Sequence, residues 1–301
     1  MFKFPTPPGY EKEPVWTGRD FQIGSEKVAI LKYTQCNAGW DADLTEFHEK
    51  AAEAGNHYID RASRLYACLE LEKSEKDQNT VILEIGSSSG YLLKEIKTSF
   101  PESFLIGSDC IPEPLEKISE KMPGIPLIQF DLVNCPLPDN CVDVVVALNV
   151  LEHIKDDEAA LKQIYRILKP GGYAIIEVPA NSQLYDFYDE QLKHFRRYDS
   201  MGLKQMSLGC GFVLSKSTHL GFCIYPAFKL IKLQNKRKNK HLDSNQKQIT
   251  IKTQIRFGGP IVNRILFTVM LFELYLGKSI PYPWGIRCAL TLKKPHWSIS
   301  R

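Results

Sequence analysis

Carboxylates and small residues recur at the ends of successive apolar runs in this sequence. Glu84 nearly closes the run that starts at Val81, and it is followed by Gly86, a short serine stretch that includes Ser88, and Gly90. Glycine at 86 and 90 lets the backbone take positive φ and approach a ligand with no Cβ in the way. The amides that open the next helix carry partial positive charge, which suits a carboxylate or a phosphate. Glu84, facing the same crevice, suits a ligand that also carries a cation. About twenty residues on, Asp109 ends a second run, at the position where an acid in a βαβ crevice accepts from ribose hydroxyls. Asp131, followed by Leu132, lies just past a third run, where it can accept from an adenine amine. Asn149 ends a fourth run and leads into Glu152 and His153. Gly and Ser favour any strand–helix turn, so the series carries the reading and the loop alone does not.

The elements that must position these residues are legible as alternating short apolar runs and amphipathic stretches. Strands are expected over 81–85, 104–108, 126–130, 142–148 and 173–178, with helices near 90–98, 112–121 and 157–168 between them. Such alternation predicts a parallel sheet covered on both faces. Lys169 to Gly172 reads as a helix stop, with Pro170 blocking continuation and glycine accepting the left-handed cap. A helix near 200–209, a strand over 212–218, an irregular insertion and a last strand from Ile286 follow.

This ordered set resembles the class I S-adenosylmethionine-dependent methyltransferases, strongly over 78–180 and as far as about 218. The Leu168-to-Gly172 exit and the Leu151-Glu152-His153 turn after the fourth strand carry the resemblance. It implies an α/β, Rossmann-like seven-stranded sheet whose last strand is antiparallel, with helices on both faces. A helical N-terminal extension and a helical C-terminal insertion flank it. It further implies that S-adenosylmethionine is the cofactor and that Gly86 to Gly90 cradle its amino-acid end. Glu84 would lie near its ammonium, Asp109 at the ribose, Asp131 and Leu132 at the adenine, and Asn149 at the loop below the sulfonium. The family's middle glycine is Ser88 here, which removes one backbone freedom. A dinucleotide dehydrogenase would want G-x-G-x-x-G in this turn, and the glycines here are four apart.

On the acceptor side the candidate catalytic residues are His153, His194 and Tyr198, and the candidate substrate clamp is Arg196 with Arg197. The stretch Lys193–Asp199 resembles one found in bacterial methyltransferases of surface-glycan and lipid-linked sugar pathways. Two arginines can clamp a phosphate or carboxylate bidentately; a tether between this loop and acidic helix ends is the structural alternative. Some relatives bind a divalent metal through Glu-x-x-Glu-His. Asn149 replaces the first carboxylate here, so no metal is expected.

The 301 residues, 44% hydrophobic and 24% charged with net charge +3, fit a globular chain with one main domain and an appendage. The eight scattered cysteines form no C-x-x-C pair and suggest neither a disulfide frame nor a zinc site. No signal peptide is read at Met1–Gly9, and the charge-free run Ile265–Phe272 falls short of a membrane span. A cytoplasmic protein is expected. The divisions expected are 1–77, an arm with helices; 78–220, the cofactor-binding core; 221–285, a basic and helical insertion; and 286–301, the final strand and tail. Residues 222–256 hold nine Lys or Arg and one acid. Together with the amphipathic 261–276 they suit either a solvated loop and lid or docking on an anionic membrane. The expected reaction is O- or N-methylation of a small-molecule or glycan- or lipid-linked acceptor. The rival readings are an RNA or protein methyltransferase, supported only by the basic segment, and a non-catalytic cofactor-binding module. Nucleic acid lacks a recognisable module here, and the oligomeric state is left open.

Overall fold

The computed structural model describes residues 2–34, 57–74, 79–238, 259–278 and 280–296. Its centre is an eight-stranded sheet built from β4 (Ile30–Lys32), β5 (Val81–Ile85), β6 (Phe104–Asp109), β7 (Leu127–Gln129), β8 (Val142–Leu148), β9 (Leu168–Pro179), β10 (Val213–Leu220) and β11 (Arg287–Lys293). The spatial order is β10-β11-β9-β8-β5-β6-β7-β4. Strands β4 to β9 pair in parallel, whereas β11 is antiparallel to both β9 and β10. The chain leaves β5 toward β6 and β7, then returns to β8 on the other side. That reversal opens a crevice at the carboxyl ends of β5 and β8, where open α/β sheets bind ligands.

Period-two alternation sends neighbouring side chains to opposite faces. Leu83, Ile85, Val145 and Ala147 join a core with α4 (Asp157–Ile167) and α6 (Ser200–Gly209). Ile82, Val144 and Val146 join the other, with α1 (Tyr58–Ser74), α2 (Tyr91–Ser99), α3 (Pro112–Lys121) and α8 (Gly259–Leu276). Two further helices, α5 (Phe187–Gln191) and α7 (Tyr225–Lys238), stand at the carboxyl end of the sheet near the crevice.

Several expectations are corrected. Residues 2–34, expected as part of an arm, are built into sheet structure instead. β1 (Val15–Trp16), β2 (Phe21–Ile23) and β3 (Glu26–Val28) form a small antiparallel sheet, and β4 extends the main sheet beside β7. Phe4 and Phe21 are buried edge-to-face at 4.9 Å, so the aromatic content of this segment serves the core. Helix α4 stops at Ile167, and the chain is already extended at Leu168. Gly171, at φ 84°, therefore serves an irregularity within β9 and not the helix cap. The insertion after β10 is not irregular throughout, since α7 occupies 14 of its residues. Residues 35–56 and 75–78 of the expected N-terminal arm with helices, the basic stretch 239–258 and the tail beyond 296 lie outside the described residues.

Helix α8 also revises the membrane reading. The charge-free run within it is short, but the whole helix, roughly 27 Å by its rise, is long and apolar enough to cross a membrane by length and composition. One face is nonetheless fastened to the domain. Glu273 accepts from the amides of Gly221, Phe222 and Cys223, and Met270 and Leu274 are buried. Its outer face carries Ile261 and Tyr275, which are 76% and 70% exposed, beyond what a core helix tolerates.

Candidate active site

A cavity of about 1040 Å³ opens at the carboxyl ends of β5, β6 and β8. Its floor is the turn after β5. Gly86 sits at φ 80° with Val150 so close that a Cβ would stand 2.6 Å from it, so a side chain at 86 would need both a strained backbone and a displaced neighbour. Ser88 adopts φ 44°, a left-handed conformation uncommon for a residue with a side chain. Three bonds hold the turn in that shape: the Gly86 and Ser87 amides both donate to the Ser108 carbonyl at 2.9 Å, and the Ser88 amide donates to Asp109 Oδ2 at 2.9 Å. Asp109 accepts from the Ile111 amide through its other oxygen at 3.0 Å. Cys110 also hydrogen-bonds to this carboxylate.

Glu84 is 4% exposed, and its Oε2 has no hydrogen-bond partner. Burial pushes its pKa up to about 8, and the nearby Asp109 carboxylate adds to the shift. Asp131 lines the cavity but spends Oδ1 on the Val133 amide, capping the short 3₁₀ turn that begins at the buried Leu132. Asn149, at φ 55°, donates to Glu177 and accepts from Arg287.

The acceptor side is stitched together by one buried anion. Asp189 takes the His194 Nδ1 at 3.1 Å, Arg197 Nε at 2.8 Å and Lys232 Nζ at 2.9 Å. Burial alone would raise its pKa. The His194 hydrogen bond and the charges of Lys232 and Arg197 prevail and hold it well below the usual carboxylate range. Lys232 also reaches Asp186 at 2.6 Å, so α7 is pinned over the cavity. His153 and His194 both line the cavity, with ring centroids 4.6 Å apart.

Residues 196 and 198 do not take the positions expected of them. Arg196 donates to the Lys155 carbonyl and pairs with Asp157 at 2.6 Å, outside the cavity lining. The Tyr198 hydroxyl donates to the same Asp157 at 2.7 Å; burial and that carboxylate push its pKa up, so it is no proton acceptor. Arg197 does line the cavity, but Asp189 and the Ala180 carbonyl occupy its guanidinium. Arg196 is therefore the loop tether and Arg197 part of the buried network, and a two-arginine clamp is not formed.

The methyltransferase domain family matches residues 83–176, the segment that builds this crevice. That segment is a class I S-adenosylmethionine-dependent methyltransferase domain. Among curated proteins, the domain is 26% identical over 162 residues to a Mycolicibacterium smegmatis protein described as an S-adenosylmethionine-dependent methyltransferase, covering 52% of this chain and 60% of that one. It is 34% identical over 119 residues to the Bacillus subtilis methyltransferase YdaC, covering 38% of this chain and 64% of that one. The chain thus spans under two thirds of the length of these relatives. Among solved structures, a chain in the complex of the Haloferax volcanii Trm112 methyltransferase activator with a methyltransferase superposes with a TM-score of 0.56 at 15% identity. That superposition covers 87% of this chain and 100% of the other. At such identity the likeness concerns the fold.

Asp60, Glu152 and Arg287 line the cavity, with Glu177 beside Arg287, and none of the four was given a ligand-binding role from the sequence. Asp60, on α1, lies 3.8 Å from Arg287, which stands at the start of β11 and 3.9 Å from Glu177 on β9. Glu152 is wholly buried with neither carboxylate oxygen hydrogen-bonded. Its place beside His153 was visible in the sequence; its isolation from partners was not.

Proposed function

We propose that the protein transfers the methyl group of S-adenosylmethionine to an oxygen or nitrogen of a lipid-linked acceptor presented at a membrane surface. The observation that carries the transfer is the match of the cradle to the cofactor. A Cβ at Gly86 would stand 2.6 Å from Val150 and one at Gly90 2.6 Å from Met122, so glycine keeps the turn in this shape, and Glu84 holds a buried oxygen, unpartnered among the described residues, suited to an ammonium. Asp109, Asp131 and Leu132 line the same cavity, and on this reading Asp109 would take the ribose hydroxyls and Asp131 with Leu132 the adenine. Bound there, the cofactor supplies a methyl group on a sulfonium. The chain's own residues bind, orient and exclude water, and positioning of this kind is worth as much as about 7–11 kcal/mol in favourable cases. A cavity of about 1040 Å³ exceeds what one small ligand needs, which leaves space for an acceptor beside the cofactor.

The lipid-linked reading rests on the cavity mouth. Phe228 and Ile231 of α7 and Leu266 of α8 line it, and Leu230, Ile261, Ile265 and Phe272 continue outward as exposed apolar surface. Lys229 and Arg237 of α7 add charge suited to anionic headgroups. An acyl tail can lie along this ridge while the head enters the cavity. Incubation with methyl-labelled cofactor and a cell extract should place label in the organic phase. Label confined to aqueous metabolites would overturn the lipid assignment, and label in RNA or protein would favour the rival acceptors. The full chain should also float with vesicles containing phosphatidylglycerol at low salt, and Ile265→Glu with Phe272→Glu should abolish flotation. Wild-type protein that stays at the bottom of the gradient refutes the docking.

Glu84 gives the cofactor site a pH signature. With its pKa near 8 in the free protein, the carboxyl is mostly protonated at pH 6 and must lose that proton to accept an ammonium. Affinity for S-adenosylhomocysteine should therefore fall as pH drops from 8 to 6, by up to about tenfold per unit. Glu84→Gln should bind more weakly with a flat profile. Titration calorimetry in buffers of different ionisation enthalpy checks both, because wild-type binding should release a proton that the variant does not.

A further inference from the structure

We infer that Glu152, His153 and His194 form a site for one divalent transition-metal ion on the acceptor side of the cavity. The inference stands independently of the methyl-transfer reading. One ligand atom from each residue lies within 4.8 Å of the others. Around a single ion at about 2.1 Å, ligand atoms sit roughly 3–3.4 Å apart, so side-chain adjustments of about an ångström close the set.

Three further observations point to an ion. Glu152 is wholly buried, and among the described residues both its carboxylate oxygens lack hydrogen-bond partners, whereas the buried Asp186 and Asp189 are richly bonded. A buried carboxylate without hydrogen bonds is costly; the charges of Arg287 and Arg197 offset part of that cost, and a bound cation relieves more of it. His194 is oriented in the manner of a ligand. Its Nδ1 faces the Asp189 carboxylate at 3.1 Å and must carry the proton there, which leaves the Nε2 lone pair for a metal. The 192–198 loop is also fixed at the right place, because the Phe195 amide donates to the Glu152 carbonyl at 2.8 Å.

Two imidazoles and one carboxylate suit zinc, manganese, iron or cobalt better than magnesium or calcium, which prefer oxygen. Three protein ligands leave coordination positions open toward the cavity, where the hydroxyl or amine of an acceptor can bind. The sequence reading expected no metal because it weighed only 149–153; the third ligand comes from a loop 41 residues further on.

Metal-free full-length protein titrated with Zn²⁺ and, separately, with Mn²⁺ tests the site without any turnover. Zn²⁺ should bind at one ion per chain with micromolar or tighter affinity, and Mn²⁺ should bind at the same stoichiometry and lose its free-ion electron paramagnetic resonance signal. Glu152→Gln, which keeps the side-chain volume, and His194→Ala should each weaken Zn²⁺ at least tenfold, with thermal melts confirming that the variants fold. Absence of stoichiometric binding by wild type below 100-micromolar-scale concentrations, roughly the weak end for a built three-ligand site, would overturn the assignment. So would unchanged affinity in both folded variants.

Discussion

Asp109→Ala is expected to weaken binding of S-adenosylhomocysteine by about two orders of magnitude or more. The carboxylate stands at the end of β6 and already organises the turn, taking the Ser88 and Ile111 amides at 2.9 and 3.0 Å. It lines the crevice, where two ribose hydroxyls would each make a hydrogen bond to the carboxylate. Such bonds contribute about 1.5–3 kcal/mol each, and every 1.4 kcal/mol is about tenfold in affinity. The substitution also frees Ser88 from the anchor that holds it at φ 44°, so the cradle relaxes as well. Asp109→Asn retains one acceptor oxygen and should fall between wild type and alanine. Calorimetric titration of the three proteins checks the series, and equal affinities would contradict the ribose role.

The largest stability effect is expected at Asp189. Asp189→Ala removes the anion that joins His194, Arg197 and Lys232, leaving two guanidinium or ammonium groups buried with fewer partners. Breaking a buried ionic group in this way costs about 3–5 kcal/mol, which corresponds to a melting temperature lower by on the order of 10 °C. Lys232 and Asn235 tie α7 to Asp186 and Asp189, so the wall of the cavity should loosen together with the 192–198 loop. Lys32→Ala is the contrasting control. Its pair with Glu116 at 3.0 Å has both side chains about half exposed, and such surface pairs are worth about 0–1 kcal/mol. Thermal melts of both variants decide the matter; similar small losses would show that the Asp189 network is not what holds this side together.

The donor half of the site was legible because its determinants are local. Each of Glu84, Asp109, Asp131 and Asn149 lies at or just past the end of an apolar run, and a buried parallel strand announces itself by that run. The short β4 was not legible. It is a three-residue edge strand with no periodicity of its own, and it exists because β7 offers a partner. The acceptor half failed for a related reason. Arg196, Arg197 and Tyr198 are consecutive in an extended segment that bridges Ala180, so alternation places Arg197 on one side and Arg196 and Tyr198 on the other. Which side faces the cavity depends on Asp157 and Asp189, on separate helices. Lys232, 43 residues from Asp189, is likewise invisible to any local pattern.

The central claim is that the turn after β5, with Asp109 and Asp131, is a site for S-adenosylmethionine. Titration of the wild-type chain with S-adenosylhomocysteine, alongside a nicotinamide dinucleotide, tests it most directly. The predicted result is saturable binding of S-adenosylhomocysteine at one per chain and none of the dinucleotide. Binding of the dinucleotide in its place, or no binding of S-adenosylhomocysteine by the folded protein, would contradict the account.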